Sequence, residues 1–373
     1  MAPPGYVHLR LHAAPSADPF GVSHLYGGPR QPVMPIGEVG KVLREAVALR
    51  QAGASVVAAV LDEPTRHPDF VQVQERLLGG DLVLPDVPYM LTTNGEGLVS
   101  CPEGHITRLA QAGVAGVIMN WYGQERTHDE FVGRPGAFAG QMAALRRLME
   151  TNLELGARLI LHRGSAPDLP SLRDRLLNMG PKPPTVEIAL PESAGRAAEP
   201  RLRARPEDLT GWTAGMRQAL KARTEVEWAQ HVAETSDLSG ANLADMDSAA
   251  YLDIYGDLSV YANLRQPLPY AFLPRLRVGK LGPDALPALV EAAARLPLLL
   301  EIRRLTCRLA ESHDPANPVF TPATSLRTSG RCDCFNPDRY GLRLPAAASG
   351  LRRFPRPTPP PRRYIRYQPE HAS

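Results

Sequence analysis

Hydrophobic and polar positions change period repeatedly along the first 190 residues. Residues 5–12, GYVHLRLH, alternate apolar and polar, which predicts a strand. Over 37–53, Val39, Val42, Leu43, Ala46 and Leu49 recur at helical spacing, with Gly53 placed to end the helix. SVVAAVL at 55–61 is the apolar, β-branched run of a buried parallel strand. HPDFVQVQERLLGG (67–80) returns to the helical period and stops at its glycines. The same reading places strands at 88–95, 114–121, 157–163 and 185–191, and helices at 105–113, 136–156 and 168–180.

Strand and helix alternate strictly, with short polar connections. That predicts an α/β fold on a parallel sheet, open or rolled into a barrel. Six or seven such units fit between residues 5 and 192, short of the eight of a closed barrel, so residues 1–200 read as a partial (β/α)6 TIM-type barrel. Residues 201–344 read as a smaller second region. It holds a helix at 206–234, a hairpin at 251–264 around Tyr255-Gly256-Asp257, and an apolar helix at 284–305 interrupted by Pro297. From 345 to 373 proline and arginine replace apolar periodicity, which predicts a disordered tail.

Composition narrows the function classes. The 373 residues include 38 prolines, about twice the usual share, yet the net charge is only +3. A body without basic excess argues against nucleic acid as a partner. No apolar run approaches a membrane span, and the N-terminus lacks the pattern of a secretory signal, so the expected location is the cytoplasm. Cys101, Cys307, Cys332 and Cys334 are too few for a disulfide scaffold in a chain of this length. There is no serine-hydrolase elbow, no Walker loop and no zinc-protease helix.

Several phrases then line up in one order. LDEPTRHPDF (61–70) is similar to the Gly-Gly-Glu-Pro-Thr-x-His-Pro-x-Phe stretch of the radical S-adenosylmethionine superfamily. LTTNGEGL (91–98) resembles its third strand, HDEFVGRPGAF (128–138) the loop after its fourth, and ALPESAGRA (189–197) the loop after its sixth. YLDIYGDLSVYANL (251–264) followed by VGKLGPDAL (278–286) resembles its C-terminal SPASM or twitch extension. The resemblance covers roughly residues 5–300.

It implies a radical-SAM-type partial barrel whose cluster loop should carry Cys-x3-Cys-x2-Cys. Here those positions fall on Asp18, Val22 and Leu25. Iron–sulfur clusters are held by thiolates, and none of the three residues supplies one. The resemblance therefore implies a degenerate member without a [4Fe-4S] cluster. It carries over Glu63 as the group on the ammonium of S-adenosylmethionine and Asn120 as a polar residue on its ribose. Thr93 and Asn94 at the end of the third strand and Arg158 on the fifth are expected at the same mouth, because strand ends open onto the site of a β/α barrel. The family's two glycines are here Leu61 and Asp62, whose side chains replace bare backbone. The plain alternative is that Glu63-Pro64-Thr65 ends a strand and caps the next helix.

Histidine supplies the candidate acid–base groups. His67, His128 and His162 are expected at one end of the barrel, and His128, Asp129 and His162 are the catalytic candidates. Cys332-Asp-Cys334 resembles half a metal site, but no further ligand follows at metal spacing. The tail's arginines and tyrosines could grip an acidic partner, and a solvated tail is the simpler reading. Two functions remain. One is a cluster-free protein that binds S-adenosylmethionine or another small ligand and does polar chemistry. The other is a pseudoenzyme that binds a peptide or an active partner enzyme.

The cluster reading is tested directly. Protein reconstituted with iron and sulfide without oxygen is expected to stay colourless. About four irons per chain with broad visible absorption would mean that other cysteines supply the ligands.

Overall fold

The computed structural model describes residues 6–14, 32–83, 88–189, 202–219, 223–224, 249–263, 273–297 and 320–321. Positions 18, 22 and 25, the cysteines at 307, 332 and 334, and the tail from 345 lie outside the described residues.

Strands β1 (Tyr6–Ala14), β2 (Ser55–Asp62), β3 (Met90–Thr93), β4 (Gly116–Trp121), β5 (Glu154–Ile160) and β6 (Thr185–Ala189) alternate with helices. These are α1 (Ile36–Gln51), α2 (Phe70–Gly79), α3 (Glu96–Ser100), α4 (Glu103–Gln111), α5 (Glu125–Val132), α6 (Ala137–Met149) and α7 (Leu169–Leu177). A second series follows: α8 (Ala214–Ala219), β7 (Arg223–Thr224), β8 (Ala249–Tyr255), β9 (Ser259–Asn263), α9 (Leu273–Leu276), β10 (Arg277–Lys280), α10 (Leu286–Ala294) and β11 (Phe320–Thr321).

The barrel is partial and split. One sheet runs β10-β9-β8-β1-β2 and another β3-β4-β5-β6, so β2 and β3 share no ladder. All pairs from β3 to β6 are parallel, as is β1 with β2. The predicted hairpin is present as β8 and β9, and it joins the barrel sheet. β8 lies parallel beside β1 from Tyr6↔Ala249 to His12↔Tyr255.

Period-two alternation decides which residues meet the helices. Val7, Leu9, Leu11 and Ala13 of β1, Val56, Ala58 and Val60 of β2, and Ala250, Leu252 and Ile254 of β8 share one core with α1 and α10. Leu91, Val117, Met119, Trp121, Leu155, Ala157 and Leu159 share another with α6 and α7. Ala204, Leu209, Trp212 and Met216 join this second core, and Trp212 Nε1 donates to the Ala166 carbonyl at 2.8 Å. The alternate residues, among them His8, Arg10, His12, Thr92, Asn120 and Arg158, are left on the inner face.

Three expectations shift. The helix foreseen at 136–156 ends at Met149, because Thr151 Oγ1 donates to the Leu148 carbonyl and accepts from Leu153 N, closing a turn that releases β5 three residues earlier than expected. The segment around His128 and Asp129 is helical in α5 and is not a loop. No continuous helix spans 206–234: a short 3-10 turn at Pro206–Leu209 gives way at Gly211, with φ of 84°, before α8. Among the described residues no helix is long and apolar enough to cross a membrane.

If the hairpin belongs to the barrel's core, truncating it must cost core-sized energy. Leu252 is fully buried, and Leu252→Ala is expected to lower unfolding free energy by about 2–5 kcal/mol in a single urea transition. A loss below about 1 kcal/mol, or a separate early transition, would show that β8 is only loosely attached.

Candidate functional site

The upper ends of β2 and β3 meet at one carboxylate. Glu63 is 2% exposed and sits at the N-terminus of a 3-10 turn, Pro64–Arg66. Its Oε1 accepts from Thr65 N at 3.2 Å and from the hydroxyls of Thr65 and Thr93. Its Oε2 accepts from Asn94 N at 2.6 Å. Each hydroxyl in turn accepts a backbone N–H, Thr93 from Gly95 at 2.9 Å and Thr65 from Gly97 at 3.1 Å. Gly97 must be glycine here, since a Cβ would stand 1.8 Å from the Thr65 carbonyl oxygen. Asn94 Oδ1 accepts from Glu96 N at 2.8 Å and starts α3. Burial pushes the Glu63 carboxyl above its ordinary range, and the donors from Asn94, Thr65 and Thr93 only partly oppose this. The capping role expected of Glu63 is present, and it extends to the neighbouring sheet.

Asn120 and Arg158 lie side by side on the inner face of β4 and β5. The Asn120 side-chain oxygen is buried with no hydrogen-bond partner among the described residues, a costly state unless something supplies a donor. Its backbone carbonyl accepts from Gln141 Nε2 at 2.9 Å. Arg158 pairs through Nε with Glu187 on β6, and both side chains are partly exposed.

The histidine candidates are used locally. His67 accepts from Asp69 N at 3.0 Å through Nδ1 and donates to the Met34 carbonyl at 2.7 Å through Nε2. His128 and His162 hold the two ends of one residue: His128 Nδ1 accepts from Tyr122 N at 3.2 Å, and His162 Nε2 donates to the Tyr122 carbonyl at 2.8 Å. Both are packed among rings, His128 by Trp121 and Phe138, His162 stacked on Phe131 at 4.4 Å. Burial pushes both imidazoles down to about 4, so both are neutral near pH 7. Asp129 accepts from Phe138 N at 2.8 Å and from Gly136 N, which caps α6. Cys101 is half-buried against the second core, with its thiol raised chiefly by burial.

A second polar cluster was not foreseen. On the inner face of β1, Arg10 meets Asp253 of β8, Nε to Oδ1 at 2.6 Å and Nη2 to Oδ2 at 3.1 Å. His12 bridges Asp62 at 2.8 Å and Asp253 at 3.3 Å, and Asn263 Nδ2 also donates to Asp253. The imidazole stacks on Tyr255 at 4.3 Å between ring centres. Burial alone would lower His12, but the charge of Asp62 and bonds to both carboxylates lift it to about 9. Burial likewise opposes ionisation of Asp253, yet Arg10 and His12 hold it at about 2. Two cations and two anions thus balance. The sequence carried one signal of this: His8, Arg10 and His12 occupy alternate positions of an otherwise apolar strand.

The backbone at Asp62 is itself unusual. Its φ is 66°, the left-handed region that favours glycine and that aspartate tolerates better than most residues. The backbone adopts a glycine-like shape, and the Asp62 side chain turns to His12.

No protein-family model matches the sequence, and a search of curated proteins finds no relative. Solved structures do match in fold. Streptococcus suis SuiB, solved with S-adenosylmethionine bound, superposes with a TM-score of 0.50 at 13% identity, over 81% of this chain and 68% of SuiB. The S-adenosylmethionine-bound anSMEcpe gives 0.47 at 14%, over 82% and 88%. The Escherichia coli radical SAM enzyme HemN, a coproporphyrinogen III oxidase, gives 0.37 at 12%, over 89% of each chain. The chain has the radical SAM fold. At the positions that the resemblance assigns to a cluster the sequence carries Asp18, Val22 and Leu25, none of which supplies a thiolate, and all three lie outside the described residues. Among the described residues no group of three or more metal-ligating side chains converges.

The buried histidines set opposite pH limits. His128 and His162, lowered to about 4 from 6.5, contribute stability that is complete above pH 6.5 and lost as pH falls toward 4. His12, raised to about 9, contributes stability that is complete below pH 6.5 and lost as pH rises toward 9. Urea unfolding is therefore expected to show maximal stability near pH 6.5, with each histidine contributing a slope of about 1.4 kcal/mol per pH unit. His12→Gln should flatten the alkaline limb alone. A profile level from pH 5 to 9 would refute these assignments.

Proposed function

We propose that this protein is a cluster-free relative of the radical SAM enzymes that binds a small ligand on the inner face of its partial barrel. S-adenosylmethionine is the first candidate, and the chemistry would be polar, a cluster-independent transfer or elimination in a biosynthetic or peptide-modifying pathway. The observation behind this reading is Asn120, whose buried side-chain oxygen lacks a donor among the described residues, beside the Arg158–Glu187 pair. A ribose hydroxyl is a donor of the required kind. Glu63 Oε2, with one protein bond, keeps acceptor capacity for a single N–H. When bound, S-adenosylmethionine would supply an electrophilic sulfonium. This chain's own part is to orient it by Asn120 and Glu63.

A second reading is favoured by Glu63 itself. Three of its four bonds converge on Oε1 and all come from the chain, as expected of a strut. In that reading the protein is a binding subunit for a peptide or for an active partner enzyme. The Pro- and Arg-rich tail would add a protein contact.

Calorimetry separates the two. Binding of S-adenosylmethionine or S-adenosylhomocysteine is expected at micromolar affinity, about −8 kcal/mol. Asn120→Ala is expected to weaken it roughly tenfold without changing the unfolding midpoint. No heat and no thermal shift at millimolar ligand would remove the cofactor reading and leave the binding subunit.

A further inference from the structure

The cluster around Asp253 and the network around Glu63 are adjacent in the chain through one peptide bond, between Asp62 and Glu63. Asp62 is held on one side by His12, which is itself held by Asp253 on the C-terminal hairpin. On the other side Glu63 takes Thr93 and Asn94 from the opposite sheet. The backbone at Asp62 is in the left-handed region, so its carboxylate anchor and its dihedral must be satisfied together.

A separate line of contact joins the same two places. Gly256, at the turn of the hairpin, approaches so closely that a Cβ there would stand 1.8 Å from the Pro32 carbonyl oxygen. The segment behind it is tied to β1 by Met34 N donating to Ala13, and to His67 by the Met34 carbonyl. His67 lies directly beyond the 3-10 turn that Glu63 caps. An ionic path and a packing path therefore both run from the β8–β9 hairpin to residues 62–67.

We propose that His12 and Asp253 are positioning residues for the Glu63 site, so that the seating of the C-terminal hairpin sets the geometry of Glu63, Thr65, Thr93 and Asn94. This rests on the reading of that mouth as a ligand site, but the coupling is measurable without any ligand. The purpose of a buried, charge-balanced cluster is then clear: packed apolar residues could join two strands as firmly, but would not fix the direction of one carboxylate. Among the described residues Asp62 of β2 and Asp253 of β8 bond His12 and Tyr255 of β8 stacks on it, while Arg10 of β1 and Tyr261 of β9 reach the cluster through Asp253 and Tyr255.

The test uses the full chain with 13C-methyl threonine. The methyl signals of Thr65 and Thr93 are expected to titrate with the same midpoint as the His12 ring, about pH 9, although neither touches it. Asp253→Asn should shift both signals at pH 7 and raise the exchange rate of the Asn94 amide at least tenfold, with Leu155–Leu159 amides unchanged. Asp62→Gly, which keeps the backbone shape and removes the anchor, should abolish the threonine titration. Threonine methyls that stay level while His12 titrates in the unaltered protein would overturn the coupling, even if every variant failed to fold. Absence of S-adenosylmethionine binding would bear on the ligand alone.

Discussion

One buried carboxylate joins two sheets that share no ladder among the described residues. β2 and β3 would ordinarily be neighbours in a rolled sheet, yet here they are unpaired, and the break must be bridged by something other than backbone. Glu63 does this at the upper end, taking donors from its own turn and from the end of β3. Desolvating an acid is costly, and four donors are what make it tolerable. The orientation of the Asn94 amide follows from filling that acceptor, and the neighbouring Thr65 turn packs so closely on α3 that position 97 must be glycine.

A second buried cluster, this one charge-balanced, governs the hairpin. Arg10 and His12 face Asp62 and Asp253, and net neutrality is reached only when β8 lies beside β1 in the observed register. A slip by one residue would turn Asp253 into the apolar core and leave both cations unanswered. Register is thus specified twice, by apolar positions on one side of the strand and by charge on the other.

Much of this was legible in the sequence, and the limits have physical causes. Helix and strand positions followed from periodicity, because each element buries one face. The helix from Ala137 was overextended because nothing in the apolar pattern of METNLELG marks the turn that Thr151 closes. Glu63 drew attention through motif resemblance, and its capping role was legible through Pro64. Its reach to Thr93 was not, because that depends on how far two sheets stand apart. Arg10 and His12 showed as alternation in β1, but their partner lies about 240 residues later, and no local rule pairs strands at that distance. His128 and His162 drew attention as acid–base groups by residue type alone, whereas what each one does depends on Tyr122 between them.

That shared peptide group makes the two imidazoles unequal. An N–H can only donate and a carbonyl can only accept, so both rings must carry their single proton on Nε2. A second proton therefore goes to Nδ1 in each case. On His162 this leaves the contact with Tyr122 intact. On His128 it places hydrogen against hydrogen and forces the ring away. With the same depressed affinity for protons, one histidine tolerates acid in place and the other cannot, so the β4–α5 connection comes apart from its amide side first.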